Sequence, residues 1–498
     1  MSSRHSQPVR GLMSTKTSPM FQGRFGRMFR SLHAATFGKT DRENLAKLAA
    51  LGEAMSADFD PPTDGKDPEE SGIPALYTYF GQFVDHDITF DPASSLQQQN
   101  DPDALTDFRT PAFDLDNVYG RGPGDQPYLY DGDKLFFLGE PLQGGDKNAR
   151  DLPRNNANPP RALIGDPRND ENAIVSQLQG LFLRFHNRTV KDNPALAFAE
   201  IQKRVRYHYQ YVVLHDFLPR IVHSGVLNEL KTDGHYDRGK LKFFHWRNDP
   251  FMPIEFSVAA YRLGHSMIRP GYRLNDDLLL PIFPVPKQGF PKGLSGFGEM
   301  SLDQGIDWGR FIDVDIRSND DDQNRLQFAY RIDTSLVNPL HDLPQAVASN
   351  PSSLAQRNLE RAWRLGLPSG QSVAQAMRIE PLDDTEILIG KAVDDPKPPN
   401  DNILSVADGA FAKNCPLWTY ILAEAMHFSK SVKIPVKEKG TRVNTPRLGP
   451  VGGRIVAEVF LGLIFGDPAS LLNLHPHWHP TQSRKYALRD FVNYALGR

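Results

Sequence analysis

The sequence is poor in cysteine, and a single cysteine, Cys415, in 498 residues excludes a protein held together by internal disulfide bonds. One cysteine favours a reducing compartment, although a chain of this length can also fold on its apolar core after secretion. An excess of one charge is missing as well, because 57 basic residues stand against 60 acidic ones. The formal net charge of -3 gives no reason to expect nucleic acid or an anionic membrane surface as a partner.

Long apolar runs are also absent. The first forty residues are basic but contain no apolar segment long enough for a standard signal peptide. The stretch 455–465 is interrupted by glutamate and glycine and is too short to cross a bilayer. We therefore expect a soluble protein without a membrane span. A non-standard export route stays open, so the sequence predicts neither a compartment nor an oligomeric state.

The motifs of several enzyme classes are missing. The sequence contains no His-Glu-x-x-His, no Gly-x-Ser-x-Gly and no Cys-x-x-Cys, which removes the support for a zinc or nucleophilic hydrolase. The histidine-rich tract 475–480 is made extended by its prolines and has no acidic or cysteine ligand near it in sequence. The glycine-rich segment 449–453 lacks the spacing of a phosphate-binding loop.

What the sequence does have is helical periodicity. Apolar residues recur at helical intervals in 41–55, 73–86, 172–189, 198–217, 256–268, 353–365, 417–426, 451–465 and 482–496. Residues 91–170 are rich in Pro, Gly, Asp and Asn, which predicts a long irregular region with a functional or ligand-binding role. We predict a mainly α fold with very little β structure, in which an arm of residues 1–70 packs on one large domain of residues 71–498.

The first segment that could do chemistry is 80–87. Gln82 and His86 are four residues apart, so on a helix an amide and an imidazole share one face. Asp85 lies about 100° round the helix from His86, and Asp87 lies on the other side. Taken alone, this pattern is more typical of a solvated helix end.

Two further segments carry single charged or ligating groups. Arg168 and Glu171 are three residues apart after Pro167, which also describes an ordinary helix start with an acidic first turn. Gly264 beside His265 costs an apolar helix about 1 kcal/mol. Close approach of a flat ligand would explain that glycine, and a hydrogen-bonded core histidine explains His265 equally well.

The loop 110–116 and the segment 358–361 complete the set. The loop offers oxygen ligands at alternate positions: Thr110, Ala112 through its carbonyl, Asp114 and Asp116. Hard oxygen ligands suit Ca²⁺ rather than Zn²⁺, and a solvated acidic loop is the alternative. Asn358 and Arg361 share a helical face and could serve one buried site, or form a solvated polar face.

In their order along the chain, from 73 to 496, these segments resemble the animal-type haem peroxidases. That is the peroxidase–cyclooxygenase superfamily, which includes myeloperoxidase and lactoperoxidase, and we expect a bacterial-type member. The resemblance implies a single helical haem peroxidase domain, with haem b and Ca²⁺ as cofactors. Several motifs in the family's order are not explained by isolated helix ends and loops.

The resemblance implies a role for each matching residue. His86 is the distal histidine, Arg168 the distal arginine and His265 the proximal iron ligand. Gln82 matches the glutamine that holds distal water and borders the halide site. The other haem-binding matches are Asp85 and Glu171, which can form ester links to haem methyl groups, Arg262, Asn358 behind the proximal histidine, and Arg361 facing a propionate. The calcium matches are Asp87, Thr110, Ala112, Asp114 and Asp116.

Two departures from the family pattern are visible. Asn172 stands where myeloperoxidase has the methionine of a sulfonium link, so that link is not expected. The family's Arg-Asp-His before Gly-Leu-Pro is replaced here by 363–365, Trp-Arg-Leu. The element beginning at Arg447 resembles the family's Arg-x-Gly-Pro, to which we assign no role.

The implied function is a peroxidase, active in the response to oxidative stress. Hydrogen peroxide oxidises the haem, which then oxidises a halide, thiocyanate or small aromatic donor. His86 moves a proton between the peroxide oxygens, and Arg168 stabilises the charge as the O–O bond breaks. The alternative within the superfamily is a fatty-acid dioxygenase, which has a tyrosine three residues before the proximal histidine. This chain has Arg262 there, with Tyr261 one step off. A non-enzymatic scaffold that binds haem and Ca²⁺ is the third hypothesis.

Overall fold

Helices dominate the computed structural model, which describes residues 23–58, 65–89, 106–107, 111–320, 323–345, 347–348, 350–392, 394, 401–480 and 485–498. The α-helices are α1 Asp41–Ala54, α2 Leu76–Ile88, α3 Asp116–Tyr119, α4 Ala173–Asp192, α5 Phe198–Val212, α6 Leu218–Ile221, α7 Ser224–Glu229, α8 Leu354–Arg364, α9 Gly370–Ala376, α10 Leu417–His427, α11 Pro450–Gly466, α12 Leu471–Leu474 and α13 Leu488–Leu496. The predicted mainly α class is confirmed.

The strands of the described residues are two to five residues long. They are β1 Gly23–Gly26, β2 Glu70–Pro74, β3 Thr106–Asp107, β4 Tyr130–Asp131, β5 Leu135–Phe136, β6 Lys231–Thr232, β7 His235–Tyr236, β8 Met252–Pro253, β9 Gly271–Arg273, β10 Leu279–Pro281, β11 Phe328–Tyr330, β12 Leu388–Ile389, β13 Asp401–Asn402, β14 Lys430–Lys433 and β15 Arg442–Thr445. β1 lies between β3 and β8, and the others form two-stranded pairs. Two of these pairings join residues more than two hundred positions apart: β1 with β8, which are parallel, and β2 with β11, which are antiparallel and lie just before α2 begins.

Helical periodicity placed most helices correctly, and two of its predictions were wrong. The segment 256–268 is a π turn, Glu255–Ala259, followed by a 3₁₀ turn, Ala260–His265, because the backbone breaks at Ala259 (φ -126°, ψ -74°). The last helix begins at Leu488, because the Ala487 amide donates to the Asp490 side chain (2.8 Å) and caps the helix there. The start predicted at 482 lies outside the described residues, and 485–487 are not helical.

The core is built around α11. This helix is apolar on all sides, and residues 451–464 are buried, as expected for a helix at the centre of a large domain. Phe460 of α11 packs against Phe113 and Tyr261 at ring-centroid distances of 5.0 and 5.3 Å. Phe83 of α2 stacks on Phe182 of α4 at 4.2 Å. The helix that carries Gln82 and His86 is thus fixed on its apolar side.

The described part of the N-terminal segment lies on the domain. Arg27 donates to the Gly366 carbonyl (2.9 Å), and the amides of Met28 and Phe29 donate to the buried Glu255 carboxylate (3.0 and 3.1 Å). These contacts hold the chain against the π turn just before His265. The arm of residues 1–70 as a separate unit stays a prediction, and residues 1–22 lie outside the described part. None of the helices in the described residues is both long and apolar enough to cross a membrane.

Candidate functional site

The imidazole of His86 is fixed by a neighbouring amide. His86 is buried in the last turn of α2, and its Nδ1 lies 2.7 Å from Oδ1 of Asn169. Burial, followed by the charge of Arg168, lowers the pKa of His86 to about 4, so the ring is neutral at pH 7. Nε2 lies 4.0 Å from a carboxylate oxygen of Glu171, beyond hydrogen-bond distance. A neutral ring with Nδ1 engaged presents Nε2 as a base.

Arg168 lies beside the end of the same helix. Its guanidinium donates to the His86 carbonyl (3.0 Å) and the Thr89 carbonyl, and forms an ion pair with the buried Asp166 carboxylate (2.7 Å). These contacts place its charge next to the main chain of His86. The Asp166 carboxylate also accepts from the Arg168 amide (2.8 Å) and so begins the 3₁₀ turn 167–170.

Gln82, Glu171 and Asn172 form a second cluster beside His86. The Gln82 amide donates to the Glu171 carboxylate, and Asn172 Nδ2 donates to Gln82 Oε1 (3.2 Å). Asn172 also caps α4, since its Oδ1 accepts from the amides of Ile174 and Val175 (3.1 and 2.9 Å). Asn172, which stands where the family resemblance leads us to expect a methionine, therefore joins a helix cap to Gln82.

The side chains around this cluster face an internal recess. The Glu171 side chain retains 33% of its exposure, yet burial is the main cause that raises its pKa to about 7, with Arg168 opposing it. A side chain that keeps accessible surface deep inside a protein borders an enclosed space. Gln82, Asp85, Arg262, His265 and Arg361 are half-buried in the same way, among neighbours that are buried.

His265 is held from behind by Asn358. Nδ1 of His265 lies 2.8 Å from the amide nitrogen of Asn358, and Asn358 is 5% exposed on α8. If Nε2 binds a metal, Nδ1 carries the proton, and the amide must present its oxygen, a flip that leaves the heavy atoms in place. Burial, then Arg262, lowers the pKa of His265 to about 3. The Nε2 atom has no hydrogen-bond partner among the described residues.

The two histidine segments touch each other. The Tyr261 hydroxyl donates to the Gly81 carbonyl (3.2 Å), and the Thr78 hydroxyl lies 3.4 Å from the Met267 carbonyl. Gly81 is five residues before His86, about 7.5 Å along a helix. The chains therefore converge at Gly81 and leave His86 further along α2, where a flat group can lie between the two segments.

These residues fit a haem. A single imidazole cannot hold a bare metal ion in a closed site, but it suits an iron already bound by a macrocycle. A side chain added at Gly264, next to the His265 backbone, would meet no heavy atom within 4 Å. Open space thus adjoins the predicted iron ligand, and half-buried Arg262 and Arg361 are cations suited to the carboxylates of a haem.

Three carboxylates meet beside α2. Ligand atoms of Asp87, Asp114 and Asp116 all lie within 4.8 Å of one another. Both oxygens of Asp87 are buried without a hydrogen-bond partner of normal geometry among the described residues, although the Tyr209 hydroxyl is close. Burial, followed by the charges of the other two aspartates, raises the pKa of Asp87. Such a cluster fits a hard cation such as Ca²⁺.

The rest of the predicted calcium loop is only partly described. Ala112 is buried in the turn that leads to α3, while Thr110 lies outside the described residues. Gly165 lets the Arg168 segment approach this loop, since a Cβ there would meet the carbonyl oxygens of Asp116 and Asn117 at 2.4 and 2.6 Å. The acidic loop and the segment that carries Arg168 are therefore packed directly on each other.

Three residues of the site were missed from the sequence. Asn169 lies inside a segment that we singled out, but nothing in its spacing connects it with His86, 83 positions earlier. Gln179 is a polar residue within the predicted helix 172–189, with no sequence feature that marks it, yet it accepts from Asn169 Nδ2 (2.8 Å). Trp418 of α10 lies edge-on to His265, with ring centroids 6.5 Å apart. No local pattern marks any of them.

Known proteins resemble this chain in sequence and in fold. A family model described as animal haem peroxidase matches residues 97–283, a range that contains the acidic loop, the Arg168 segment and His265. Peroxidase A from Dictyostelium discoideum has a similar fold over 96% of this chain and 94% of that chain, with a TM-score of 0.62 and 14% identity. Residues 97–283, a little over a third of the chain, therefore match the animal haem peroxidase family, and the chain as a whole has a fold similar to that of a peroxidase.

Two peroxidase-related proteins match parts of the chain. Thyroid peroxidase of Canis lupus familiaris is 30% identical over 131 residues, which are 25% of this chain and 13% of that protein. A peroxidase-like protein of Margaritifera margaritifera is 25% identical over 256 residues, 39% of this chain and 31% of that protein. The chain thus matches less than a third of the length of either relative. A fatty acid alpha-dioxygenase of Oryza sativa shares the fold with a TM-score of 0.53 and 15% identity, over 93% of this chain and 79% of that chain.

Proposed function

We propose that this protein is a haem peroxidase that uses hydrogen peroxide to oxidise a small anionic or aromatic donor. The observation that carries the proposal is a pair of histidines on two contacting segments, His86, which is buried, and His265, which is half-buried. Each has Nδ1 held by an asparagine, and each leaves Nε2 without a hydrogen bond among the described residues. Nε2 of His265 is the proposed iron ligand, and Nε2 of His86 is the proposed base. Peroxide cleavage requires both roles.

The chain's own groups perform the proton transfer. His265 would hold the haem iron, and Arg262 and Arg361 would pair with the haem carboxylates; the bound haem would supply the two electrons that reduce peroxide. Nε2 of neutral His86 takes the proton from one peroxide oxygen and returns it to the other, so that water leaves. Arg168 supplies positive charge beside His86, which favours negative charge on the departing oxygen. Gln82 orders water at the same face.

The donor enters a recess bordered by Gln82, Arg168 and Glu171. The cationic group of Arg168 and the side-chain amide of Gln82 donate hydrogen bonds and so favour binding of halide or thiocyanate. A half-buried opening of this kind also admits the edge of a small phenol. Asp85 and Glu171 are the carboxylates that we propose to form ester links with haem methyl groups. Acid–acetone extraction of peroxide-treated protein checks the links, because full recovery of free haem in the solvent would rule them out.

The function is tested by comparing wild-type protein with His265→Ala after expression with adequate haem. Wild-type protein is expected to show a Soret band and peroxide-dependent oxidation of a phenol, bromide, iodide or thiocyanate. His265→Ala is expected to lose the Soret band, because His265 is the residue that would hold the haem iron. His186→Ala serves as a control, since His186 is also buried but bonds to Lys134 O and Tyr119 Oη away from the recess.

Three outcomes would overturn the proposal. A colourless wild-type protein would show that the chain binds no haem. Oxygen uptake with a fatty acid, in the absence of peroxide, would instead assign the dioxygenase activity that the Oryza sativa relative's name gives. Haem-loaded protein without turnover on any donor would leave the binding scaffold as its role.

A further inference from the structure

A chain of amides leads away from His86. Asn169 Oδ1 lies 2.7 Å from His86 Nδ1, Asn169 Nδ2 lies 2.8 Å from Gln179 Oε1, and Gln179 Nε2 lies 3.4 Å from the Asn117 carbonyl. Asn169 and Gln179 are fully buried, as is Asn117. Three elements thus contribute to one path: the 3₁₀ turn 167–170, helix α4 and helix α3.

The last member of this chain fixes the direction of every hydrogen bond. The Asn117 carbonyl can only accept, so Gln179 must donate through Nε2 and keep Oε1 as an acceptor. Asn169 must then donate through Nδ2, which turns its Oδ1 towards His86. An amide oxygen can only accept as well, so the proton of the imidazole is placed on Nδ1.

We propose that Asn169, oriented by Gln179, is a positioning residue that holds His86 in the tautomer with Nδ1 protonated and Nε2 free to act as a base. The inference rests on the proposed peroxidase function and assigns to that site two residues that never contact the substrate. Without Asn169 the ring can exchange tautomers and rotate, because its Nε2 faces the open recess. A ring with the proton on Nε2 cannot accept the peroxide proton there.

The chain also connects the acidic cluster with His86. Asn117 follows Asp116 directly, and its side-chain Nδ2 lies 3.3 Å from the Phe83 carbonyl in α2. Gly165 packs on the same α3 carbonyls. A displacement of α3 therefore shifts the acceptor at the end of the chain, and the orientation of the imidazole follows it.

The test compares Asn169→Ala, Asn169→Asp and Gln179→Leu with the matched control Gln177→Leu. Gln177 is another buried glutamine of α4 with hydrogen bonds to Gln304 O (2.8 Å) and the Ile306 amide (3.0 Å), outside the chain to His86. We expect the peroxide reaction of Asn169→Ala, per bound haem, to slow about 10- to 100-fold, part of the full acid–base contribution. The KM for the donor is expected to stay near the wild-type value.

The tautomer itself is read by ¹⁵N NMR of histidine-labelled holoprotein in its diamagnetic ferrous carbonyl form. Wild-type protein is expected to show a proton on His86 Nδ1, assigned by its loss in His86→Ala. Asn169→Ala is expected to lose that signal, and Asn169→Asp, which keeps an acceptor, is expected to restore it together with most of the rate. Gln179→Leu should lie between them.

Either of two results overturns the inference. The first is an Asn169→Ala protein that keeps the Nδ1 proton. The second is a set in which Gln177→Leu loses as much rate as Gln179→Leu, which would show a structural effect alone. The NMR readout separates this failure from that of the proposed function, because the tautomer is observed whether or not the wild-type protein turns over a donor.

Discussion

Replacement of His86 by alanine is expected to slow the reaction of the haem-loaded protein with hydrogen peroxide by about 100- to 10,000-fold. Among the described residues, no other imidazole has a hydrogen bond or ion pair with Gln82, Asn169 or Glu171, so no neighbouring histidine replaces His86. Glu171, the nearest carboxylate at 4.0 Å, has its pKa raised to about 7 and is engaged by Gln82. Haem content should stay unchanged, because the iron ligand is on the other segment.

The measurement is the second-order rate constant of the Soret change on mixing with peroxide, in His86→Ala, His86→Gln and wild-type protein. His186→Gln is the matched control: it removes a ring that is equally buried and whose pKa burial likewise lowers to about 4. A rate within a few fold of wild type in His86→Ala would contradict the assignment of the base. An equal loss in His186→Gln would attribute the effect to packing.

Periodicity could predict a helix such as α8 because only one face of it is buried. The apolar stripe of α2 packs on Phe182 and Phe217, so the adjacent face, with Gln82 and His86, was identifiable from the sequence. The segment 255–265 failed the same rule. The local spacing does not account for the contacts of Glu255, whose carboxylate accepts from the amides of Met28 and Phe29, more than two hundred residues earlier. Such long-range contacts leave no trace in local spacing.

Some residues of the candidate site could be predicted from the sequence and others could not, for the same reason. Residues that share a helix turn with a recognised motif, such as Asp85 and Asp87, could be named from the sequence. Asn169 and Gln179 could not, because their importance lies in the direction of a hydrogen-bond chain that only the three-dimensional structure displays. The Arg447 segment gains one structural explanation: buried Glu424 accepts from the amides of Val451 and Gly452 and caps the start of α11.

Calcium is expected to stabilise the wild-type protein by about 3 kcal/mol when its free concentration is 100-fold above its Kd, and to leave Asp87→Asn almost unaffected. Three carboxylates within 4.8 Å repel one another when ionised, and a divalent cation converts that repulsion into attraction. Asp87 contributes two buried oxygens without normal hydrogen bonds, so its replacement by asparagine removes the negative charge and one of the two oxygen ligands.

Thermal and denaturant unfolding with calcium, and with a chelator, measure this difference, and calcium content is determined by elemental analysis. Asp125→Asn is the control, because Asp125 is an exposed carboxylate paired with Arg121 outside the cluster. Asp87→Asn gaining as much from calcium as wild type would contradict the site, as would loss of the gain in Asp125→Asn. Since α3 joins this cluster to the amides behind His86, calcium removal should also slow the peroxide reaction before the protein unfolds. That coupling should be weaker in Gln179→Leu, in which the connecting chain is already broken.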